Sequence, residues 1–215
     1  MRPMARQRDV LHGFIVFEGV DGSGTSTQLK LLGERLAAFG VDARLDAEPT
    51  AGPIGRLIRD ALFKRPQLSH ETVARLFAAD RGEHIEGSGG VREALAAGRL
   101  VVSDRYFFSS LAYQGLTCEP ELPEELNARF PLPELLIFFD IPAAASVARL
   151  GSRAERDIYE HEAFQVRVDA AYREIVARFE GGPMRVARVD ASAPIPAVAE
   201  QVWAAVGPVA ARFRR

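Results

Sequence analysis

Short, continuously apolar runs alternate along the chain with longer segments whose apolar residues recur at helical spacing. Residues 14–17, Phe-Ile-Val-Phe, form one such run and end at Glu18-Gly19, the pattern of a strand buried on both faces. Over residues 26–39 Leu29, Leu32, Leu36 and Phe39 lie on one helical face and Gly40 supplies a stop. The first helix therefore starts directly out of a glycine-rich loop. Residues 41–47 predict a second strand, 54–63 a short helix, and 69–85 a longer helix in which Val73, Leu76, Phe77 and His84 keep mixed spacing. Gly87-Ser88-Gly89-Gly90 breaks the pattern, and residues 91–97 form a further helix closed by Gly98. Residues 100–104 are a compact strand ending in Asp104, residues 135–140 repeat that arrangement with Asp140, and 186–190 repeat it more weakly. Residues 143–150, 162–179 and 195–206 take the remaining helical slots. This alternation predicts α/β architecture: one domain over residues 1–215, with a right-handed, doubly wound parallel sheet of about five strands. Open sheets of this kind bind ligands outside the carboxyl ends of their strands.

The loop between the first strand and helix reads Gly19-Val20-Asp21-Gly22-Ser23-Gly24-Thr25-Ser26, with the glycine spacing of a phosphate-binding loop in the context that motif requires. Glycines let the chain curl so that successive N–H groups point inward at phosphate oxygens, and the following helix adds the positive end of its dipole. Ser26 occupies the hydroxyl position that reaches Mg²⁺, and Thr25 stands where the motif has a lysine on the β- and γ-phosphates. The chain has two lysines, Lys30 and Lys64; one lies over a turn into the first helix and the other follows a different helix. The replacement cation is therefore expected to be an arginine.

Composition narrows the class. Apolar residues make up 47% of the 215 and charged residues 26%, which suits a soluble globular chain rather than a disordered or membrane one. The net charge of -2 lacks the basic excess of general nucleic-acid or membrane-surface binders, so neither partner is expected. Cys118 is the only cysteine, which excludes an intramolecular disulfide and suits a reducing cytosol. Arg2, Arg6 and Arg8 precede the first apolar run, but that run is too short for a secretion signal or a membrane span, and a soluble cytoplasmic protein is expected.

Three blocks occur in order: Phe17-Glu18-Gly19-Val20-Asp21-Gly22-Ser23-Gly24, then Leu76-Phe77-Ala78-Ala79-Asp80-Arg81, then Asp104-Arg105-Tyr106 with Ser109 and Ala112-Tyr113-Gln114-Gly115. Together they resemble the thymidylate kinase family. The resemblance implies a P-loop kinase that uses ATP and Mg²⁺ to phosphorylate dTMP, working as a homodimer. It places ATP on Gly19, Gly22, Ser23, Gly24, Thr25, Ser26 and Thr27, with Arg149 nearby. On the acceptor side it implies that Phe77 stacks on thymine, Arg81 bonds the base's exocyclic oxygen, Gln114 lines the base pocket, and Ser109 and Tyr113 also bind dTMP. Arg105 holds the acceptor phosphate, Asp21 meets the sugar 3′-hydroxyl or orients that phosphate, and Glu48-Pro49 lies close by. Residues 150–160 would be a lid, with Arg153 and Arg156 as catalytic cations and Tyr159 crowding the sugar C2′. Without the resemblance Phe77 reads as a core residue, Arg81 as a surface arginine, Arg105 as the partner of Asp104, and the lid as a solvated loop. Thr25, Ile158 and Ala47 depart from the family pattern. The alternatives are a kinase for another nucleotide or deoxynucleoside, and a nucleotide-binding protein without turnover.

Overall fold

The computed structural model describes residues 8–150 and 162–215, the side chains of Leu150 and Glu162 apart. The first apolar run extends into strand β1 (Val10–Glu18), in which Phe14, Ile15, Val16 and Phe17 are fully buried. Helix α1 (Thr25–Ala38) leaves the glycine loop, and β2 (Ala43–Ala47) and α2 (Pro53–Leu62) follow. Helix α3 (His70–Glu86) starts at Ser69, whose side chain accepts the Thr72 N–H at 3.2 Å, a hydroxyl N-cap. The chain then runs through α4 (Val91–Ala96), β3 (Leu100–Asp104), α5 (Phe107–Tyr113) and α6 (Glu121–Asn127). It continues with β4 (Leu132–Asp140), α7 (Ala143–Leu150), α8 (Glu162–Phe179), β5 (Arg185–Asp190) and α9 (Ile195–Ala210).

The five strands form one parallel sheet in the order β2-β3-β1-β4-β5. The central strands β1, β3 and β4 are the apolar runs of the sequence, whereas edge strand β5 buries only Val189 fully, which is why its signal was weak. From β1 the chain moves outward to β2, and from β3 it crosses back to β4. Right-handed crossovers therefore carry the two exits in opposite directions and open a crevice at the carboxyl ends of β1 and β3. Register places Phe17 beside Asp104, and the Arg105 N–H donates to the Phe17 carbonyl at 2.8 Å. The glycine loop and the chain after β3 are thus fixed side by side.

Two helices were not predicted. In α5 Phe107, Phe108, Ser110, Leu111, Ala112 and Tyr113 are all buried, so no polar face marks a helical period. Phe107 and Phe108 stack on each other with centroids 4.1 Å apart and pack against Tyr106 and Phe179. Burying one such ring contributes about 1.5–3 kcal/mol, so α5 is held by its core contacts rather than by propensity. The other helix, α6, is seven residues long and too short for periodicity to register. Among the described residues no helix is long and apolar enough to cross a membrane.

Candidate active site

The loop after β1 curls through Gly22 and Gly24, whose φ values of 82° and 93° are left-handed and cost a residue with a Cβ about 1–2 kcal/mol. Gly24 caps α1 without any side-chain hydrogen bond, so the first N–H groups of the helix stay available to an anion. Every ATP-side candidate in the described residues except Gly19 lines one cavity of about 770 Å³: Gly22, Ser23, Gly24, Thr25, Ser26, Thr27 and Arg149. Gly19 lies beneath it, where an added Cβ would meet Ser23 Oγ at 2.7 Å. At the far end Arg149 donates to the carbonyls of Ala191 and Ser192 at 2.9 and 3.5 Å. Neither Lys30 nor Lys64 lines this cavity.

Ser26 Oγ donates to Asp104 Oδ2 at 2.6 Å. The other oxygen of Asp104, Oδ1, is buried and has no hydrogen-bond partner among the described residues. The hydroxyl and the carboxylate therefore form one oxygen-rich corner of the cavity.

A second cavity of about 200 Å³ lies across from the first. All the acceptor-side candidates in the described residues line it: Asp21, Glu48, Pro49, Phe77, Arg81, Arg105, Ser109, Tyr113 and Gln114. Phe77 is half-buried and faces this space rather than joining the core, which removes its reading as core packing. Arg81 is not a surface residue either: it is 1% exposed and bonds Glu48 Oε2 through Nε at 2.9 Å and Nη2 at 2.8 Å, Asn127 through Nη1 at 2.5 Å and Ser110 through Nη2 at 3.1 Å. Four of its five N–H groups are thereby engaged by protein. Asp80, the residue before it, takes the backbone and side-chain hydrogens of Thr50 at 2.6 Å each and anchors the Glu48-Pro49-Thr50 loop to α3.

Asp21 and Arg105 line both cavities. Arg105 has a left-handed φ of 74°, unusual for a residue with a side chain, and pairs with Asp21 rather than Asp104. Its guanidinium also donates to Ser109 Oγ and the Tyr172 hydroxyl, both at 3.2 Å, and lies 5.3 Å over the Tyr113 ring. Asp21 additionally accepts from the Tyr113 hydroxyl at 2.8 Å and Gln165 Nε2 at 2.9 Å.

Beneath this pair is Glu18, fully buried at the end of β1. It accepts the N–H groups of Tyr106 and Ser109 at 2.8 and 3.2 Å, and the hydroxyls of Ser109 and Tyr172 at 2.6 and 2.9 Å. Burial pushes its carboxyl up to about 7, against the downward pull of Ser109, Arg105 and Tyr172. The folded chain thus holds this proton more tightly than the unfolded chain does. Its contribution to stability is largest below about pH 4.5 and falls as pH rises to about 7. Glu18→Ala strands the buried Tyr106 N–H and the part-buried Ser109 N–H and is expected to cost about 2–4 kcal/mol. Urea unfolding should show a larger difference between wild type and variant at pH 5 than at pH 8, and equal stabilities would contradict this account.

A thymidylate kinase family model matches residues 17–202. The chain belongs to the thymidylate kinase family. It is 44% identical over 197 residues to a putative thymidylate kinase of Treponema pallidum (strain Nichols), covering 90% of this chain and 94% of that protein. A probable thymidylate kinase of Pyrococcus abyssi (strain GE5 / Orsay) is 38% identical over 202 residues, covering 90% and 95% of the two chains. The lid candidates Arg153, Arg156 and Tyr159 lie outside the described residues. Several residues of the site were missed by sequence reasoning: Glu18, Asp104, Ser110, Asn127, Gln165 and Tyr172. Glu18 and Asp104 sit in the blocks that carry the likeness to thymidylate kinases, and strand-terminal carboxylates could have flagged them; the others had no local signal.

Proposed function

We propose that the chain transfers the γ-phosphoryl group of ATP to dTMP, giving ADP and dTDP. The observation that carries this reading is that a large phosphate-loop cavity and a small aromatic, arginine-bearing cavity share the Asp21–Arg105 pair as their common wall. ATP occupies the larger space with its phosphates on the loop amides from Gly22 to Ser26. The acceptor base lies against Phe77, with the remaining N–H of Arg81 available to an exocyclic oxygen of the base, and its phosphate meets Arg105. A phosphate monoester is largely dianionic at neutral pH because its second pKa is about 6, so no general base is required. An oxygen of that phosphate attacks the γ-phosphorus in line, the bond to the β–γ bridging oxygen breaks, and ADP leaves with the electron pair.

Mg²⁺ fits the corner formed by Ser26 and Asp104. Hard oxygen donors suit this ion, and the buried, unpartnered Asp104 Oδ1 is a carboxylate oxygen waiting for a cation or a metal-bound water. Among the described residues no cluster of three or more His, Cys, Asp or Glu side chains could hold a metal, which suits an ion bound by one or two protein groups and the substrate phosphates. When bound, the ion supplies charge neutralisation at the phosphates. The homodimer implied by the resemblance belongs to the same proposal.

An acceptor panel tests the reading. With Mg-ATP and a coupled ADP assay, dTMP should be turned over in preference to dUMP, CMP, UMP and thymidine; preference for a different acceptor, or no turnover, would overturn it.

A further inference from the structure

The buried charge on α3 continues beyond Arg81. His84, 4% exposed, meets a carboxylate at each ring nitrogen: Nδ1 is 2.9 Å from Glu48 Oε1 and Nε2 is 3.1 Å from Asp46 Oδ2. A neutral imidazole donates from one nitrogen only, whereas two carboxylates accept only, so this geometry fits the imidazolium. Glu48 is shared. One of its oxygens faces His84 and the other takes Nε and Nη2 of Arg81.

The surroundings support the same charge state. On β2, Arg44 Nε donates to the other oxygen of Asp46 at 2.8 Å. On α3, Asp80 is buried and taken up by Thr50, while Glu83 is exposed. Tyr106, after β3, has Glu48 and Arg81 as charged neighbours together with Arg8, ahead of β1, and Arg92, on α4. Arg44 and Arg81 thus share the carboxylates Asp46 and Glu48 with His84, and deprotonation of His84 would remove the one cation that faces both.

We propose that His84 is a positioning residue for acceptor binding: as an imidazolium it fixes Glu48, and through Glu48 it sets the plane of the Arg81 guanidinium in the wall of the acceptor cavity. This rests on the assignment of that cavity to the acceptor base. Burial opposes the charge of His84, but hydrogen bonds to Asp46 and Glu48 outweigh it and hold the imidazole up to about 9. A histidine whose pKa is raised on folding contributes fully below its unfolded value near 6.5, and the contribution is lost as pH rises through about 9. The clamp is therefore intact at neutral pH and opens in mild alkali.

The test compares wild type with His84→Gln at saturating Mg-ATP, varying dTMP from pH 7 to 10. At pH 7.5 the variant should show a KM for dTMP raised about tenfold, with kcat within about twofold of wild type. Because the substrate's own ionisation affects both proteins equally, the ratio of their KM values isolates His84, and it should fall toward one as pH passes 9. A ratio of one at pH 7.5, a ratio that does not change with pH, or a loss in kcat instead of KM would overturn the proposal. Should the variant fail to fold, proton NMR of wild-type imidazoles gives the answer. One ring should titrate near pH 9 and its midpoint should rise by about one unit when dTMP binds, the reciprocal of the KM effect. A midpoint near 6.5, or one that dTMP leaves unmoved, would overturn the proposal. Wild type that turns over a different acceptor would instead defeat the acceptor assignment itself, with the titration of free enzyme unaffected.

Discussion

Arg105→Met is expected to lower kcat/KM for dTMP by about 10³-fold, the scale on which arginines act in phosphoryl transfer. The side chain borders both cavities, so its loss removes positive charge from the line along which the phosphoryl group moves. Its geometry is built rather than incidental. The left-handed backbone at φ 74° aims it, Asp21 pairs with it, and Ser109 and Tyr172, each bonded to Glu18, hold its Nη1 at 3.2 Å. Arg105→Lys keeps the charge and loses the planar fork, so it should recover only part of the loss. Steady-state assays with a coupled ADP readout decide the matter, and a methionine variant within tenfold of wild type would remove Arg105 from the mechanism.

The second large effect concerns the cation that Thr25 does not supply. Among the described residues the loop cavity is bordered by two arginines, and both are committed: Arg105 to Asp21, and Arg149 to the carbonyls of Ala191 and Ser192. Thr25 itself is buried and neutral. A further cation from elsewhere in the chain is then expected to join Arg105 in countering charge on the transferred group, and Arg153 and Arg156, which follow α7 in sequence, are the candidates. Their double replacement by alanine should lower kcat by about 10³-fold or more, with a smaller change in dTMP binding. Thr25→Lys should change wild-type turnover little. A double variant with near-normal turnover, or a wild type inactive until Thr25 becomes lysine, would refute this division of labour.

Much of the architecture was readable because its determinants are local. Strands buried on both faces carry uninterrupted apolar runs, and the loop glycines announce a curl that few other residues tolerate. The mixed spacing over residues 69–85 was a signal of another kind. Helix α3 buries Asp80, Arg81 and His84 alongside Val73, Ala74 and Ile85, so a face that is spatially continuous looks interrupted when sorted by hydropathy. Helix α5 failed for the opposite reason, since a helix surrounded by core has no polar side to set its period.

By itself, then, the chain determined the five strands, the helices that carry a polar face, and the phosphate loop with its missing lysine, while the acceptor-side candidates came from the three blocks that resemble thymidylate kinases. Only the folded structure decided the pairings: Arg105 with Asp21, Ser26 with Asp104, and Glu48 shared between Arg81 and His84. The physical reason is distance along the chain. Curling loops and buried strands follow from neighbouring residues, whereas an ion pair between segments more than 30 residues apart exists only once crossovers and register have brought their ends together.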